Sequence, residues 1–219
     1  MGVLLMLMTI GGLIVAAILM LIAWLNESAW LKKFVLGGVA IWFGFYGVTL
    51  LATSLMSKDQ LLGLNQPKVF CGFYFDCHMH SAVSSVRKAR SIGDRTAGGE
   101  FYIVSVNVFS DAKRARLGLL TVDAHVVDAA GREYTRDLQA ESFLSPQPEF
   151  EQKVGPDGSF TREIVFDLPS DIADPRLDIR EGYGIDHVIE AVLVGDEDSI
   201  FHGRNYFDLL EQTNESGYR

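Results

Sequence analysis

Phe70–His80 (FCGFYFDCHMH) gathers the chain's most reactive donors: both cysteines, Cys71 and Cys77, followed at once by His78, Met79 and His80. Two chemistries fit these residues. Two cysteines with no third most simply pair in an oxidising compartment. The intervening GFYFD suits a small hairpin that brings the α-carbons to about 5.5–6 Å, whereas a straight strand would hold them about 20 Å apart. The alternative is a soft-metal site, because thiolate, imidazole and thioether bind copper(I) and imidazoles suit copper(II). On a strand, His78 and His80 share one face while Cys77 and Met79 share the other. A metal would therefore rest on His78 and His80 and need a third ligand, such as Asp76 or a distant histidine. The spacing matches no zinc finger, and Cys-x-x-Cys-His haem attachment is absent. Copper is the ion of that alternative; otherwise no cofactor is expected.

Elsewhere the signs of catalysis are missing. There is no Gly-x-Ser-x-Gly, no His-Glu-x-x-His and no glycine-rich phosphate loop. His125 alternates with Asp123 on what reads as a solvated strand face, and His187 and His202 stand singly. The acidic stretches Asp171–Asp178 and Gly195–Asp198 lack EF-hand spacing and read as solvated turns. Asp196 and Asp198 are expected at a loop tip, without the burial that would raise a carboxyl pKa. The expectation is a non-catalytic protein.

What positions these groups is a strongly divided chain. Val3–Trp24 and Phe34–Met56 hold no ionisable residue, and each exceeds the roughly 20 residues needed to cross a bilayer. Of 19 basic and 28 acidic residues, only Lys32, Lys33 and Glu27 lie in the first 56, leaving 17 against 27 beyond. So acidic a domain repels phosphate backbones, and nucleic acid is not an expected partner. The lysines of the elbow Asn26–Lys33 put that elbow in the cytoplasm by the positive-inside rule, with both termini and the domain outside. A cleaved signal peptide fits less well, since the first run lacks a basic n-region and is too long. In the second helix Gly37, Ala40, Gly44 and Gly47 form a stripe without bulk, opposite Trp42, Phe43, Phe45 and Tyr46. That stripe would pack against Gly11, Gly12, Ala16 and Ala17 of the first helix, or dock a helix of another membrane protein.

Past the juxtamembrane linker, residues 57–68, the pattern turns to β. Glu100–Ser110 alternates, with Tyr102, Val104, Val106 and Val108 on one face; Leu119–Asp128 places Leu120, Val122, Ala124 and Val126 inward and turns at Gly131 into Arg132–Arg136. Phe160–Leu168, Arg176–Arg180 and His187–Val194 read as further strands. Leu138–Leu144 reads as a short helical crossing, as does Tyr206–Gln212 before a frayed tail. Short strands with Gly, Pro and Asp turns argue for an antiparallel sandwich.

The Gly-Glu start of the aliphatic strand, the Asp-x-x-Gly-x-x-Tyr hairpin at Asp128, Gly131 and Tyr134, and Phe166-Asp167-Leu168-Pro169 resemble the telokin-like, immunoglobulin-like domain of bacterial envelope proteins, over about Cys71–Val194. The resemblance implies an extracytoplasmic fold on a bacterial inner membrane, no shared catalytic residues, and a cysteine loop before the first strand, which favours the Cys71–Cys77 pair. The reading is a membrane-anchored all-β protein: transmembrane hairpin 1–56 (helices about 3–24 and 34–56), linker 57–68, immunoglobulin-like β-sandwich 69–206 and tail 207–219. Its expected role is interaction with another protein, as an accessory subunit of a membrane assembly.

Overall fold

The computed structural model describes residues 2–72 and 76–210, which fall into two units. The first holds the residues up to Lys58 together with Gly184–Arg204; the second holds Asp59–Tyr183 and the residues from Asn205 on.

In the first unit, helices α1 (Gly2–Leu25) and α2 (Ala29–Met56) are both long and apolar enough to cross a membrane. The elbow is shorter than expected. Ser28 N-caps α2 by accepting a hydrogen bond from the Leu31 amide, so the helix starts at Ala29 and takes Lys32 and Lys33 into its early turns. Hydropathy alone had placed that start at residue 34, because charge marks the end of an apolar run and not the end of a helix. The helices meet through Trp42, whose indole N–H donates to Thr9 Oγ1 at 3.0 Å, with Val35 buried beside it. The small-residue stripe faces elsewhere: Gly37, Ala40 and Gly44 are exposed, and a Cβ added at Gly37, Gly44 or Gly47 would meet nothing within 4 Å. Packing of the hairpin through that stripe is thus not what joins α1 to α2. The contact is rotated around α2 towards Trp42, whose indole makes a hydrogen bond that glycine cannot.

The third member of this unit is a further correction. His187–Val194, expected as a strand of the sandwich, lies in and just past a short helix, α3 (Gly184–Glu190), and residues 184–204 leave the sandwich altogether. Their backbone closes on itself through Ala191 N–His187 O and Val192 N–Ile189 O bonds, so no strand partner is needed.

The second unit is a two-sheet sandwich. One sheet orders β2 (Lys68–Gly72), β3 (Asp76–Ile92), β4 (Arg95–Ser110) and β7 (Ser159–Leu168), all antiparallel. The other orders β1 (Gln60–Leu62), β9 (Asn205–Asp208), β8 (Arg176–Glu181), β5 (Val122–Val127) and β6 (Glu133–Thr135). Tyr102, Val104, Val106 and Val108 point into the core between the sheets with Ala124, Val126, Ile164, Phe166, Leu177 and Ile179, as the alternation requires. The other face of β4 is apolar too. Phe101 and Ile103 pack with Val165 and Ala140 under a one-turn helix, Leu138–Glu141. That turn is pinned by Glu141, whose carboxylate accepts from the Arg136 guanidinium and from the Val165 amide.

At its margins the unit differs from expectation. β1 arises within the supposed linker. Tyr206 belongs to strand β9 and not to a helical turn, and Phe207 and Leu209, assigned to the tail, are wholly buried. Residues 211–219 of that tail lie outside the described residues.

Candidate functional site

The β2–β3 hairpin carries the cysteines. Gly72 pairs with Asp76, and Cys71 and Cys77 are bonded across the strands with α-carbons 3.9 Å apart. The intervening Phe73, Tyr74 and Phe75 lie outside the described residues. The disulfide removes both thiolates as ligands, and Met79 is also unavailable: it sits in the core beside Phe70, 4% exposed.

What remains is the histidine pair. Both imidazoles reach one carboxylate oxygen, Asp111 Oδ1, at 2.7 Å from His78 Nδ1 and 3.5 Å from His80 Nε2. Antiparallel pairing of β3 with β4 sets Met79 opposite Ser110, and the Asp111 amide donates to the His78 carbonyl, so the acid is delivered by register. His80 is stacked on Phe109 with centroids 5.0 Å apart, which fixes its ring. Hydrogen bonding from His78, reinforced by His80, holds the Asp111 carboxyl below its ordinary range. The acid that meets both imidazoles is Asp111, 31 residues beyond His80 and visible only once the strand register is known, and not Asp76 or a distant histidine, the donors the sequence offers.

A second polar cluster sits where solvated residues were expected. Asp178 is fully buried on β8, bound by Lys68 Nζ at 3.4 Å and by Arg180 Nη2 at 2.7 Å. Burial pushes its pKa up, but the charges of Lys68, Arg180 and His125 outweigh that and hold the carboxyl low. His125, read as exposed, is 5% exposed, with Nδ1 3.3 Å from Asp123 and Nε2 3.8 Å from Asp178. Alternation identified its face correctly and could not tell that the face is covered.

A third cluster went unseen. On α3, His187 Nδ1 lies 3.1 Å from Glu190 Oε2, and one donor atom each from His187, Glu190 and Asp198 lie within 4.8 Å of one another. Asp198 also pairs with Arg204 at 3.2 Å. Contrary to expectation, burial raises the pKa of Glu190 and of Asp196, and the neighbouring carboxylates add to it. The signal was the i, i+3 spacing of His187 and Glu190, which has meaning only on a helix.

The residues that carried the family resemblance prove to build turns. Asp128 Oδ1 accepts from the amides of Ala130 and Arg132, and its Oδ2 accepts from Arg132 Nε and the Tyr134 hydroxyl. Gly131, between them, has φ +76°, where a side chain would be strained. Asp167 accepts from the amides of Gly98 and Gly99 at 2.8 and 3.1 Å, clamping the start of β4 to the end of β7. A model of the family described as Domain of unknown function (DUF4352) matches residues 76–188, just over half of the chain.

The chain belongs to the DUF4352 family.

The match covers the sandwich strands from β3 through β8, so the Asp128 turn and the Asp167 clamp lie within it. No match is found among curated proteins. The chain is similar to several solved structures. The secreted protein MPT63 of Mycobacterium tuberculosis is 13% identical, over 57% of this chain and 92% of that one, with a TM-score of 0.40. A conserved hypothetical protein of Bacillus anthracis is 13% identical, over 58% of this chain and 96% of that one, with a TM-score of 0.41. The yjhA protein of Bacillus subtilis is 10% identical, over 68% of this chain and 99% of that one, with a TM-score of 0.42.

Proposed function

We propose that this DUF4352 protein is a non-catalytic module of the bacterial cell envelope. Two transmembrane helices anchor it in the inner membrane with the sandwich outside, and it serves as an accessory subunit that docks another membrane protein. The observation that carries the reading is the outward-facing stripe of Gly37, Ala40 and Gly44, which α1 leaves uncovered. Lipid offers no hydrophobic drive between helices, so close backbone approach is what a partner helix would gain there. The Cys71–Cys77 bond supports the location, because disulfides persist in oxidising compartments. Lys32 and Lys33 beside the elbow support the orientation.

Mild detergent extraction tests the docking. Proteins that co-purify with the wild type should be lost from Gly44→Leu, while the sandwich keeps its circular dichroism and Phe45→Leu retains them. Retention of every partner in Gly44→Leu would refute it. A membrane-impermeant reagent should label Ser159→Cys in intact spheroplasts; labelling only after lysis would reverse the topology.

A second reading, copper(II) binding at His78 and His80, draws on the contact that each imidazole makes with Asp111 Oδ1. Equilibrium dialysis against copper(II) should show one bound ion that His80→Ala and Asp111→Ala each abolish. Equal uptake by wild type and both variants would dismiss it.

A further inference from the structure

The helix α3 and the chain that follows it expose apolar side chains that a water-facing surface does not explain. Ile185, Val188 and Val192 are 71%, 69% and 44% exposed, and their i, i+3, i+7 spacing puts them on one face of a helical turn. Further on, Ile200 is 43% exposed and Phe201 72%. Phe201 also has φ +63°, a left-handed conformation that a bulky residue rarely adopts. The opposite side of α3 holds His187 and Glu190, so the element is amphipathic.

The segment is fastened to the ends of the apolar helices at several levels. The Gly203 amide donates to Ser57 Oγ, just past the end of α2. Ser199 Oγ is hydrogen-bonded to Ser54 Oγ at 3.3 Å, and the Tyr46 hydroxyl donates to the Val192 carbonyl at 2.7 Å. The Gly2 backbone, opening α1, approaches the Val194 carbonyl so closely that a Cβ there would collide with it. At 1.5 Å per residue, the 24 residues of α1 reach about 36 Å, against a hydrocarbon core of about 30 Å. Val194 therefore sits level with the outer boundary of that core, and Val192 beside Tyr46 sits just beneath it. Tyrosine is itself enriched at that depth.

We propose that residues 184–201 lie in the outer interface of the bilayer, with Ile185, Val188 and Val192 at the edge of the phospholipid acyl chains and Ile200 and Phe201 in the headgroup layer above them. The inference rests on the membrane-anchoring reading and adds a third, in-plane contact to the two spans. Apolar area and not charge drives it: the segment has no lysine or arginine and carries Asp186, Glu190, Asp196, Glu197 and Asp198. Amphipathic segments of this kind bury their apolar face about 5–10 Å into the headgroup–acyl boundary. Unlike basic amphipathic helices, this one requires no anionic lipid.

Depth-dependent quenching tests the inference on the full chain in phosphatidylcholine vesicles. Val188→Cys and, as a second variant, Phe201→Cys are labelled with an environment-sensitive fluorophore; Ile14→Cys in α1 and Ser159→Cys in β7 are labelled as references. Expected are a blue-shifted emission at positions 188 and 201 and loss of fluorescence to lipids spin-labelled near the headgroup, unchanged when anionic lipid is added. Water-like, unquenched emission at both positions, with the label at position 14 quenched by lipids spin-labelled deep in the acyl chain, overturns the inference and leaves the anchor standing. A label at position 14 that those deep quenchers do not reach overturns both. Blue-shifted emission that lipid quenchers do not reach shows protein on this face and also overturns it.

Discussion

Lys68 and Asp178 form an ion pair 3.4 Å long in which each side chain is only 1% exposed. A charge withdrawn from water is tolerated here because Asp178 also binds Arg180, and Lys68 Nζ also donates to the Asn205 carbonyl. Removing one partner of a buried pair strands the other and costs about 3–5 kcal/mol. Asp178→Asn should lower the stability of the sandwich by that order. Lys68→Met should cost less, since Arg180 still faces the carboxylate. Chemical denaturation in detergent, followed by near-ultraviolet circular dichroism, measures both; an Asp178→Asn protein as stable as the wild type would contradict the role given to the pair.

Acid should act oppositely on the two units. The carboxyls of Asp111, Asp128 and Asp178 are held low in the folded sandwich. Their contribution is present above the unfolded value of about 3.9 and is lost as pH falls through the folded values. Glu190 and Asp196 are held high, so the fold around them gains stability as pH falls through their raised values, completely so below about 4. Amide hydrogen exchange should show protection rising in residues 184–204 on mild acidification, before the sandwich begins to lose it. A parallel decline in both would count against this assignment.

Thiol titration of unreduced, denatured protein should find no free cysteine. Closing so short a loop stabilises by about 2 kcal/mol in the chain-entropy model, and Cys71→Ser with Cys77→Ser should reveal a loss of that order. Two titratable thiols would break the link between the disulfide and an oxidising compartment.

Val106 is wholly buried, whereas the Asp123 side chain is 72% exposed. Val106→Asp should unfold the sandwich by burying an unpaired charge. Asp123→Ala should be close to silent, with only the contact to His125 lost. Equal effects would mean a strand register wrong by one residue.

Strict alternation made β4 and β7 legible, because a period of two on a strand fixes which side chains meet. It could not show what lies over each face, and so it missed both the burial of His125 and the cover that Ala140 lends Phe101. His187–Val194 is rich in branched residues and reads as a strand, yet propensity is a weak prior that local packing overrides. The histidine pair was visible from spacing alone. Asp111 and Asp198, which complete two of the clusters, were not, because they meet their partners only through tertiary structure.

The parallel pairing of β1 with β9 joins Gln60 to Asn205 and Leu62 to Phe207, strands from opposite ends of the sandwich sequence. A polypeptide made from its N-terminus therefore displays β1 long before β9 exists. The five-stranded sheet closes only when synthesis reaches residue 208, and until then Leu177 and Ile179 lack the cover of Phe207. Closure of this sheet thus waits on β9: a nascent chain stopped short of it would present an open sheet edge, a natural substrate for chaperones and proteases.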